Sequence, residues 1–288
     1  MYKDVASLLE QAATMGSIYK AVLADEIALL GSDENQLLGM LKNRYTVMTK
    51  CAESALDSPH SMVGNLISGQ SRLQHLHGGK LVGSFLNDVM ARALSCSEVN
   101  ASMGLICAAP TAGACGILPA VLIEVSAGLQ STERETLEAL AVAGGFGAII
   151  TRNATVSGAK GGCQAECGVA AAMAAAAAVY LAKGTALMCA QAVSLALINC
   201  MGLICDPVAG LVQLPCSFRN ASQSVNAMIS ADMALAGQTC PIPADEVIES
   251  MYRVGCSLPH ELRETSLGGI AATPTAKRIT AKIFPELF

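Results

Sequence analysis

A chain of 288 residues in which 52% are hydrophobic and only 14% are charged can bury a large core, and its net charge of −5 argues against nucleic acid as a partner. Aromatic residues make up 3% of the chain, and no basic stripe interleaved with them occurs. The N-terminus lacks the basic-then-apolar pattern of a signal peptide, so we expect a cytoplasmic protein.

The first part of the chain is typical of helices joined by glycine-rich loops. Residues 1–56 carry apolar side chains at helical spacing and predict two or three helices. Residues 57–80 are rich in turn-forming residues and predict a loop region, after which helical periodicity returns from 81 to 107. A Pro- and Gly-containing turn at 109–116 leads into another apolar helix.

The second part begins with a helix that Ser131 or Thr132 caps. A polar loop and an Ala-rich helix over about 164–182 follow, and then an uncharged run at 186–204. That run is long enough to span a bilayer, but it contains polar residues and lacks aromatic or basic flanks, which favours a buried helix. Two more helices, separated by the Pro-Ile-Pro sequence at 241–243, and a Gly-containing tail complete the chain.

These elements predict a mainly α protein. We expect a single all-helical domain over residues 1–288, with N-terminal helices at 1–56 and a core at 57–288. Short apolar helices alternate with Gly- and Pro-rich loops, so we expect those loops to converge on one site.

Twelve cysteines need an explanation other than disulfides, which rarely persist in a reducing cytosol. Most of them, such as Cys189, lie in apolar helical runs and are typical of small buried side chains. Cys163 follows two glycines at a helix start, Cys205 precedes Asp-Pro, and Cys216 follows a proline. Thiols beside glycine or proline favour a metal or cluster site, because glycine lets backbone amides approach the ligand. Buried structural thiols remain the alternative, since no CxxC pair occurs.

Three sequence strings carry a resemblance to a known family. They are GGCQAE at 161–166, CDPVAGLVQLPC at 205–216 and APTAG at 109–113. They are similar to the α chain of the iron–sulfur-dependent L-serine dehydratases, also called L-serine ammonia-lyases, and the likeness runs from about residue 60 to residue 275. The resemblance implies an all-helical fold, a 4Fe–4S cluster, and an enzyme of amino-acid catabolism and gluconeogenesis that converts L-serine to pyruvate and ammonia.

The resemblance also implies how the cluster is held. Cys163, Cys205 and Cys216 match the family's ligands, so one iron has no protein thiolate and is free to act as a Lewis acid on the leaving hydroxyl group. Cys167 and Cys115 are further candidates for binding iron. A β subunit, or a fused β domain, is expected to complete the active site, so we expect a hetero-oligomer. We expect no association with a membrane.

Other residues are candidates for catalysis and for binding the substrate. His75 and Lys80 flank a glycine pair and are candidate general bases, although solvated or structural roles and a base from the β subunit remain open. We expect His260 to be structural. Hydroxyl, amide and guanidinium donors that can bind L-serine are Ser61, Gly64, Asn65, Thr111, Arg219 and Asn220.

Three rival functions are weighed against this one. The first is a cysteine desulfidase-like lyase on the same scaffold, and preference for serine, threonine or cysteine is left open. The second is a pyridoxal-phosphate dehydratase that uses Lys160. The sequence argues against it, because it shows neither a convincing phosphate-binding glycine loop nor the sheet that such enzymes need. The third is a non-catalytic helical subunit whose cysteines only pack.

Overall fold

The computed structural model describes residues 2–287, and this part of the chain folds into thirteen α-helices joined by loops and short 3₁₀ turns. The predicted all-helical fold is confirmed. The helices are α1 Val5–Met15, α2 Ile18–Leu30, α3 Glu34–Asp57, α4 Gln70–His77, α5 Gly83–Ala101, α6 Ile117–Gly128, α7 Glu133–Asn153, α8 Gly158–Gly161, α9 Val169–Leu181, α10 Ala186–Cys200, α11 Cys216–Leu235, α12 Ala244–Ser257 and α13 Pro274–Ile283.

Helix α9 is the centre of the core. Nearly all of its residues are buried, and its run of alanines presents small side chains on every face. Because small side chains let helix backbones approach closely, α6, α7, α10 and α11 all pack directly against it. Cys163 and the turn with Glu166 lead directly into α9, so this buried central helix also supports the candidate site.

The N-terminal helices belong to the same hydrophobic core as the rest of the chain, since buried residues of α1, α2 and α3 lie in one cluster with those of α7 and α9. Asp245 of α12 accepts hydrogen bonds from the backbone N–H groups of Val5 and Ala6, at 2.8 and 3.0 Å. These bonds satisfy free amides at the start of α1 and fasten it to α12.

One helix occurs where a loop was predicted, and another follows the predicted tail at 268–275. Helix α4 lies in the predicted loop region 57–80, between Gly69 and Gly78, and the buried Ser71 donates a hydrogen bond from its hydroxyl to the carbonyl of Ala91 at 2.9 Å. Helix α13 begins at the end of the predicted tail, where Thr273 caps it ahead of a proline, and it overlaps that tail only at residues 274–275. The loop prediction was wrong over α4, because that stretch has weak helical periodicity and tertiary contacts stabilise the helix instead.

One helical stretch of the described chain, Gln164–Leu181, is apolar and long enough to cross a membrane when judged by length and composition alone. Within the protein 89% of that stretch is buried, as in the core helix of a globular fold. The uncharged run at 186–204 contributes only the 15-residue helix α10, which is short for a bilayer span.

Candidate functional site

Cys163, Cys205 and Cys216 come from three separate segments, and the structure brings them together. Cys163 lies between α8 and α9, Cys205 follows α10, and Cys216 is the first residue of α11. Burial raises the pKa of the Cys205 thiol, and the charges on Cys163, Glu166 and Cys216 raise it further. Burial and the charge on Cys163 likewise raise the pKa of Cys216, to about 12. Since such effects weaken with distance, the three thiols share one electrostatic environment.

The backbone before Cys163 explains why glycine is needed there. Gly162 has φ 75° and ψ −178°, a conformation that essentially only glycine adopts. A Cβ atom at this position would lie 2.6 Å from the Leu258 side chain and 2.8 Å from the carbonyl oxygen of Leu203. Gly162 therefore packs closely against the segment that leads to Cys205. This contact helps to bring Cys163 and Cys205 together.

A π-helical turn, Gln164–Gly168, follows Cys163 and leads into α9. Single π-helical turns occur often at functional sites. Gln164 is fully buried and fixes the turn on two sides: its side-chain N–H donates to the carbonyl of Met251 at 3.0 Å, and its side-chain oxygen accepts from the N–H of Gly202 at 2.7 Å. The turn is therefore held against α12 and against the loop before Cys205.

Glu166 projects from this π-helical turn toward the cysteines. Its Oε1 accepts a hydrogen bond from the hydroxyl of Thr111 at 2.8 Å, and its Oε2 lies 3.8 Å from the Sγ of Cys205. Burial raises the pKa of the Glu166 carboxyl. A Cβ atom at Gly158 would lie 2.5 Å from Oε2 and 3.1 Å from the Cys205 Sγ. Glycine at that position therefore keeps open the space around both side chains.

The segment after α12 lies alongside Cys205. The N–H of Cys205 donates to the carbonyl of Leu262 at 2.9 Å, and the N–H of Glu264 donates to the carbonyl of Cys205 at 2.7 Å. These bonds form a parallel bridge between Cys205 and Arg263, the only β-type pairing within residues 2–287. They place the 260–265 segment beside a cysteine that is about 60 residues away in the sequence.

These segments enclose a cavity of about 720 Å³, which we call the cysteine cavity. Cys205 and Cys216 line it directly, and it carries hydroxyl, carboxyl, imidazole and guanidinium groups on its walls. The residues that line it are Thr111, Ala112, Gly113, Ala159, Glu166, Cys205, Pro207, Gly210, Val212, Cys216, His260, Arg263, Glu264 and Thr265. The volume is ample for a small polar substrate.

Two overlapping sets of side chains at this cavity can hold a metal. One consists of the three cysteine thiols. In the other, ligand atoms of Glu166, Cys205 and Glu264 all lie within 4.8 Å of one another. Thiolates are the usual ligands of iron–sulfur clusters, whereas the mixed oxygen and sulfur set suits a single divalent cation. Cys205 belongs to both sets.

Arg219 and Asn220 lie behind the cysteine cavity and bind neighbouring parts of the protein. Arg219 forms an ion pair with Asp206 at 2.8 Å and donates to the carbonyl of Ile204 at 2.7 Å. Asn220 is buried and donates to the carbonyls of Gly113 and Cys216, at 2.7 and 2.8 Å. Asn220 therefore connects the loop that carries Thr111 to the helix that begins at Cys216.

The predicted substrate-binding loop at 61–65 does not line the cysteine cavity in the described chain. The Asn65 side-chain oxygen accepts from the N–H of Met62 at 2.8 Å, and a Cβ atom at Gly64 would lie 2.5 Å from Ile283. The loop is joined to the 205–216 segment through Gln213, whose side chain donates to the carbonyl of Val63 and accepts from the N–H of Leu66. The binding role of Ser61, Gly64 and Asn65 stays a prediction.

The predicted bases also lie away from the residues that line the cysteine cavity. His75, on α4, has its Nδ1 atom 3.8 Å from Asp88 Oδ1 on α5, and both side chains are partly exposed. Lys80 is exposed in the turn between these two helices. The catalytic role of His75 and Lys80 stays a prediction, with no contact between them and the three cysteines among the contacts of the described chain.

The two additional cysteines occupy different places. Cys167 is buried on the π-helical turn with its Sγ 3.3 Å from that of Cys163. Cys115 is buried elsewhere, close to Cys96, where its thiol approaches the Cys96 carbonyl at 3.7 Å. Only Cys167 therefore directly contacts one of the three predicted ligands.

Sequence reasoning missed five polar residues of the cysteine cavity, which are Glu166, His260, Arg263, Glu264 and Thr265. Glu166 stands inside the GGCQAE string, so a charged residue amid an otherwise uncharged run was an available signal. The other four follow Pro259 in a segment whose pairing with Cys205 is not visible in the sequence. His260, which was expected to be structural, lines the cavity with them.

Comparison with known proteins identifies the family of the chain. The family model described as serine dehydratase alpha chain matches residues 13–271. The chain is 42% identical over 287 residues to the probable L-serine dehydratase, alpha chain, of Bacillus subtilis, which covers 99% of this chain and 96% of that protein. It is 44% identical over 278 residues to the L-serine dehydratase, alpha chain, of Peptoniphilus asaccharolyticus, covering 93% of each. The L-serine dehydratase of Haemophilus influenzae is 36% identical over 280 residues, which make up 94% of this chain but 61% of that protein.

Proposed function

The chain belongs to the serine dehydratase alpha chain family, and on that premise we propose that it is the alpha subunit of an enzyme that dehydrates L-serine to pyruvate and ammonia. The observation that carries the proposal is the meeting of Cys163, Cys205 and Cys216 beside the cysteine cavity. Thiols from three distant segments share one site there, next to a space that fits a small amino acid.

We further propose that these three thiols hold a 4Fe–4S cluster. The donor chemistry fits, because such clusters are bound through thiolates and three protein ligands leave one iron without one. The pKa of Cys163 is lowered, chiefly by its hydrogen bond with Cys167 and further by the nearby Arg219 guanidinium, so this thiol favours the thiolate form, whereas burial raises the pKa of Cys205 and Cys216 and iron must displace their protons. When bound, the cluster supplies a Lewis acid that polarises the substrate's β-hydroxyl group.

The cavity walls provide groups that suit the rest of the substrate. The carboxyl groups of Glu166 and Glu264 face the same space and can accept hydrogen bonds from the substrate ammonium group. Thr111 donates to Glu166 and so fixes the direction of that carboxyl group. Loss of the Cα proton and of the β-hydroxyl gives aminoacrylate, which becomes pyruvate and ammonia after tautomerisation and hydrolysis.

We also propose a β subunit as partner. This chain aligns over nearly the full length of relatives that are named as alpha chains, but over only 61% of the Haemophilus influenzae protein. The remaining part of that protein lies outside the aligned region. A separate β chain would supply the counterpart of that part.

Anaerobic co-expression with a candidate β chain tests the function. We expect a brown protein that contains iron and sulfide and releases pyruvate from L-serine. Cys205→Ser should abolish the colour and the turnover, because Cys205 lies at the cavity. Cys189→Ser should leave both nearly intact, because Cys189 is buried in α10. A colourless wild-type complex that releases no pyruvate would contradict the proposal.

A further inference from the structure

Two arginines lie close to the cysteine cavity, and their surroundings differ. Arg219 is engaged by Asp206, by the carbonyl of Ile204 and by Cys163. The side chain of Arg263 has no hydrogen-bond or ion-pair partner within residues 2–287, and its Nε–H is buried without one. Arg263 as a residue is only half-buried, but a buried Nε–H without a partner is costly, so a partner that is not part of this chain is expected.

Arg263 is also the one lysine or arginine among the described residues that line the cysteine cavity. The carboxyl groups of Glu166 and Glu264 on the same walls repel an anionic ligand group. Only Arg263 therefore offers a permanent positive charge to such a group. A guanidinium forms two parallel hydrogen bonds with a carboxylate, which no other group on these walls can do.

The backbone around Arg263 is held in a defined shape. The bridge to Cys205 fixes the position of Arg263 relative to a predicted cluster ligand. The next residues include two with left-handed backbone, Glu264 at φ 65° and Ser266 at φ 59°, and the Ser266 hydroxyl donates to the carbonyl of Pro207 at 2.6 Å. Left-handed non-glycine residues held by such bonds are concentrated at ligand-binding sites.

We propose that Arg263 binds the carboxylate of the substrate and thereby selects small 2-amino acids over their uncharged derivatives. This inference rests on the proposed function, since it assigns a role within the same site. Arg219 was a candidate for binding the carboxylate, but it is already paired with Asp206. Arg263 has no such partner within the described chain, so we assign the carboxylate to Arg263. The bridge to Cys205 then sets the distance between the carboxylate-binding group and the cluster site.

The test uses the complete enzyme with its β chain, purified anaerobically, and compares L-serine with L-serinamide, which lacks the carboxylate. We expect Arg263→Gln to keep its iron content and to raise the KM for L-serine by about 10- to 100-fold, as loss of a charged hydrogen-bonding partner predicts. The preference of the wild type for L-serine over L-serinamide should fall by a similar factor. Arg253→Gln, at an exposed position on α12, is the matched control and should leave both quantities unchanged.

A direct binding measurement separates recognition from turnover. L-Alanine keeps the carboxylate but has no hydroxyl group to lose, so its affinity can be measured by anaerobic calorimetry. We expect Arg263→Gln to weaken L-alanine binding at least about tenfold. If Arg263→Gln does not retain iron, Arg263→Met, which keeps the apolar stem, serves for the same measurements.

Two results would overturn the inference, and they are distinguishable from failure of the proposed function. The first is an iron-loaded Arg263 variant with a wild-type KM and an unchanged preference for L-serine over L-serinamide. The second is unchanged L-alanine affinity in that variant. An absence of iron and pyruvate release in the wild-type complex would instead reject the function on which the inference rests.

Discussion

Within residues 2–287, two groups of three cysteines lie close together, and one of them is the candidate metal site. The cavity cysteines are Cys163, Cys205 and Cys216. The core cysteines are Cys51, Cys96 and Cys115, which come from α3, α5 and the turn before α6. The Sγ atoms of Cys51 and Cys96 are 3.2 Å apart, so close approach of thiols occurs in both groups.

Burial separates the two groups only at Cys216, which is half-buried. Cys163 and Cys205 are 2% and 3% exposed, and Cys51, Cys96 and Cys115 are 2%, 0% and 1% exposed. The difference lies in what surrounds the sulfur atoms. The core cysteines pack with Ala52, Val99 and Ile123, whereas Cys205 and Cys216 line a cavity with carboxyl and guanidinium groups. Space and polar neighbours, more than thiol proximity, therefore identify the candidate metal site.

Removing one thiol from each group gives the largest expected contrast. Cys216→Ala should abolish iron binding and lower pyruvate release by more than about 100-fold, because a cluster ligand is lost. Cys96→Ala should retain iron and activity, since its neighbours are apolar. Iron analysis and pyruvate assay of the anaerobic complex measure both. Full iron in Cys216→Ala, or loss of iron in Cys96→Ala, would show that the two groups have been assigned the wrong way round.

A methyl group placed beside the cavity cysteines should have the next largest effect. In Gly158→Ala the new Cβ would lie 2.5 Å from Glu166 and 3.1 Å from the Cys205 Sγ, so one of these groups must move. We expect lower iron content and about a tenfold loss of activity, by the usual effect of small displacements in active sites. Gly144→Ala is the matched control, because no atom lies within 4 Å of its Cβ position. Equal behaviour of the two variants would mean that space around Cys205 is not required.

Sequence and structure agree best where local pattern decides the outcome. Gly162, which was noted only as the residue before Cys163, has a left-handed φ that explains the motif. The pairing of Arg263 with Cys205 could not be predicted, because it joins segments about 60 residues apart through backbone bonds that any residue type can form. Arg219 was a reasonable candidate from its place beside Cys216, but its ion pair with Asp206 depends on the tertiary fold.

The helices also differ in this way: local sequence pattern predicts some of them, and tertiary contacts determine others. Those with strong apolar spacing, such as α3 and α7, were predicted from the sequence. Helix α4 was missed because it owes its place to Ser71 and to the buried Glu98, whose carboxylate accepts hydrogen bonds from the N–H groups of Gly69 and Ser71. A buried carboxylate that accepts backbone N–H groups is a tertiary feature, and helical periodicity does not report it.

Substitution of Glu264 tests which side chains bind the metal. If the three cavity cysteines hold the cluster, Glu264→Gln should keep the full iron and sulfide content and lose only a few-fold in activity, because it alters a hydrogen-bonding group of the cavity. If Glu166, Cys205 and Glu264 instead hold a single cation, the same variant should lose its metal. Metal and sulfide analysis of this variant decides between the two donor sets, and Glu286→Gln near the C-terminus serves as a control at an exposed position.

The smallest effect on activity is expected among the core cysteines, where the change should appear in stability instead. Cys96 is fully buried, so Cys96→Ala removes a sulfur atom from close packing against Cys51 and leaves a small void. We expect the free energy of unfolding to fall by about 1–2 kcal/mol, in the range for loss of one buried heavy atom, with unchanged iron content. Urea unfolding of the complex measures the first quantity. Because Cys115 approaches the backbone carbonyl of Cys96 and not its sulfur, that contact survives the substitution, and a loss much above this range would mean that the core thiols act as a unit with a bound group.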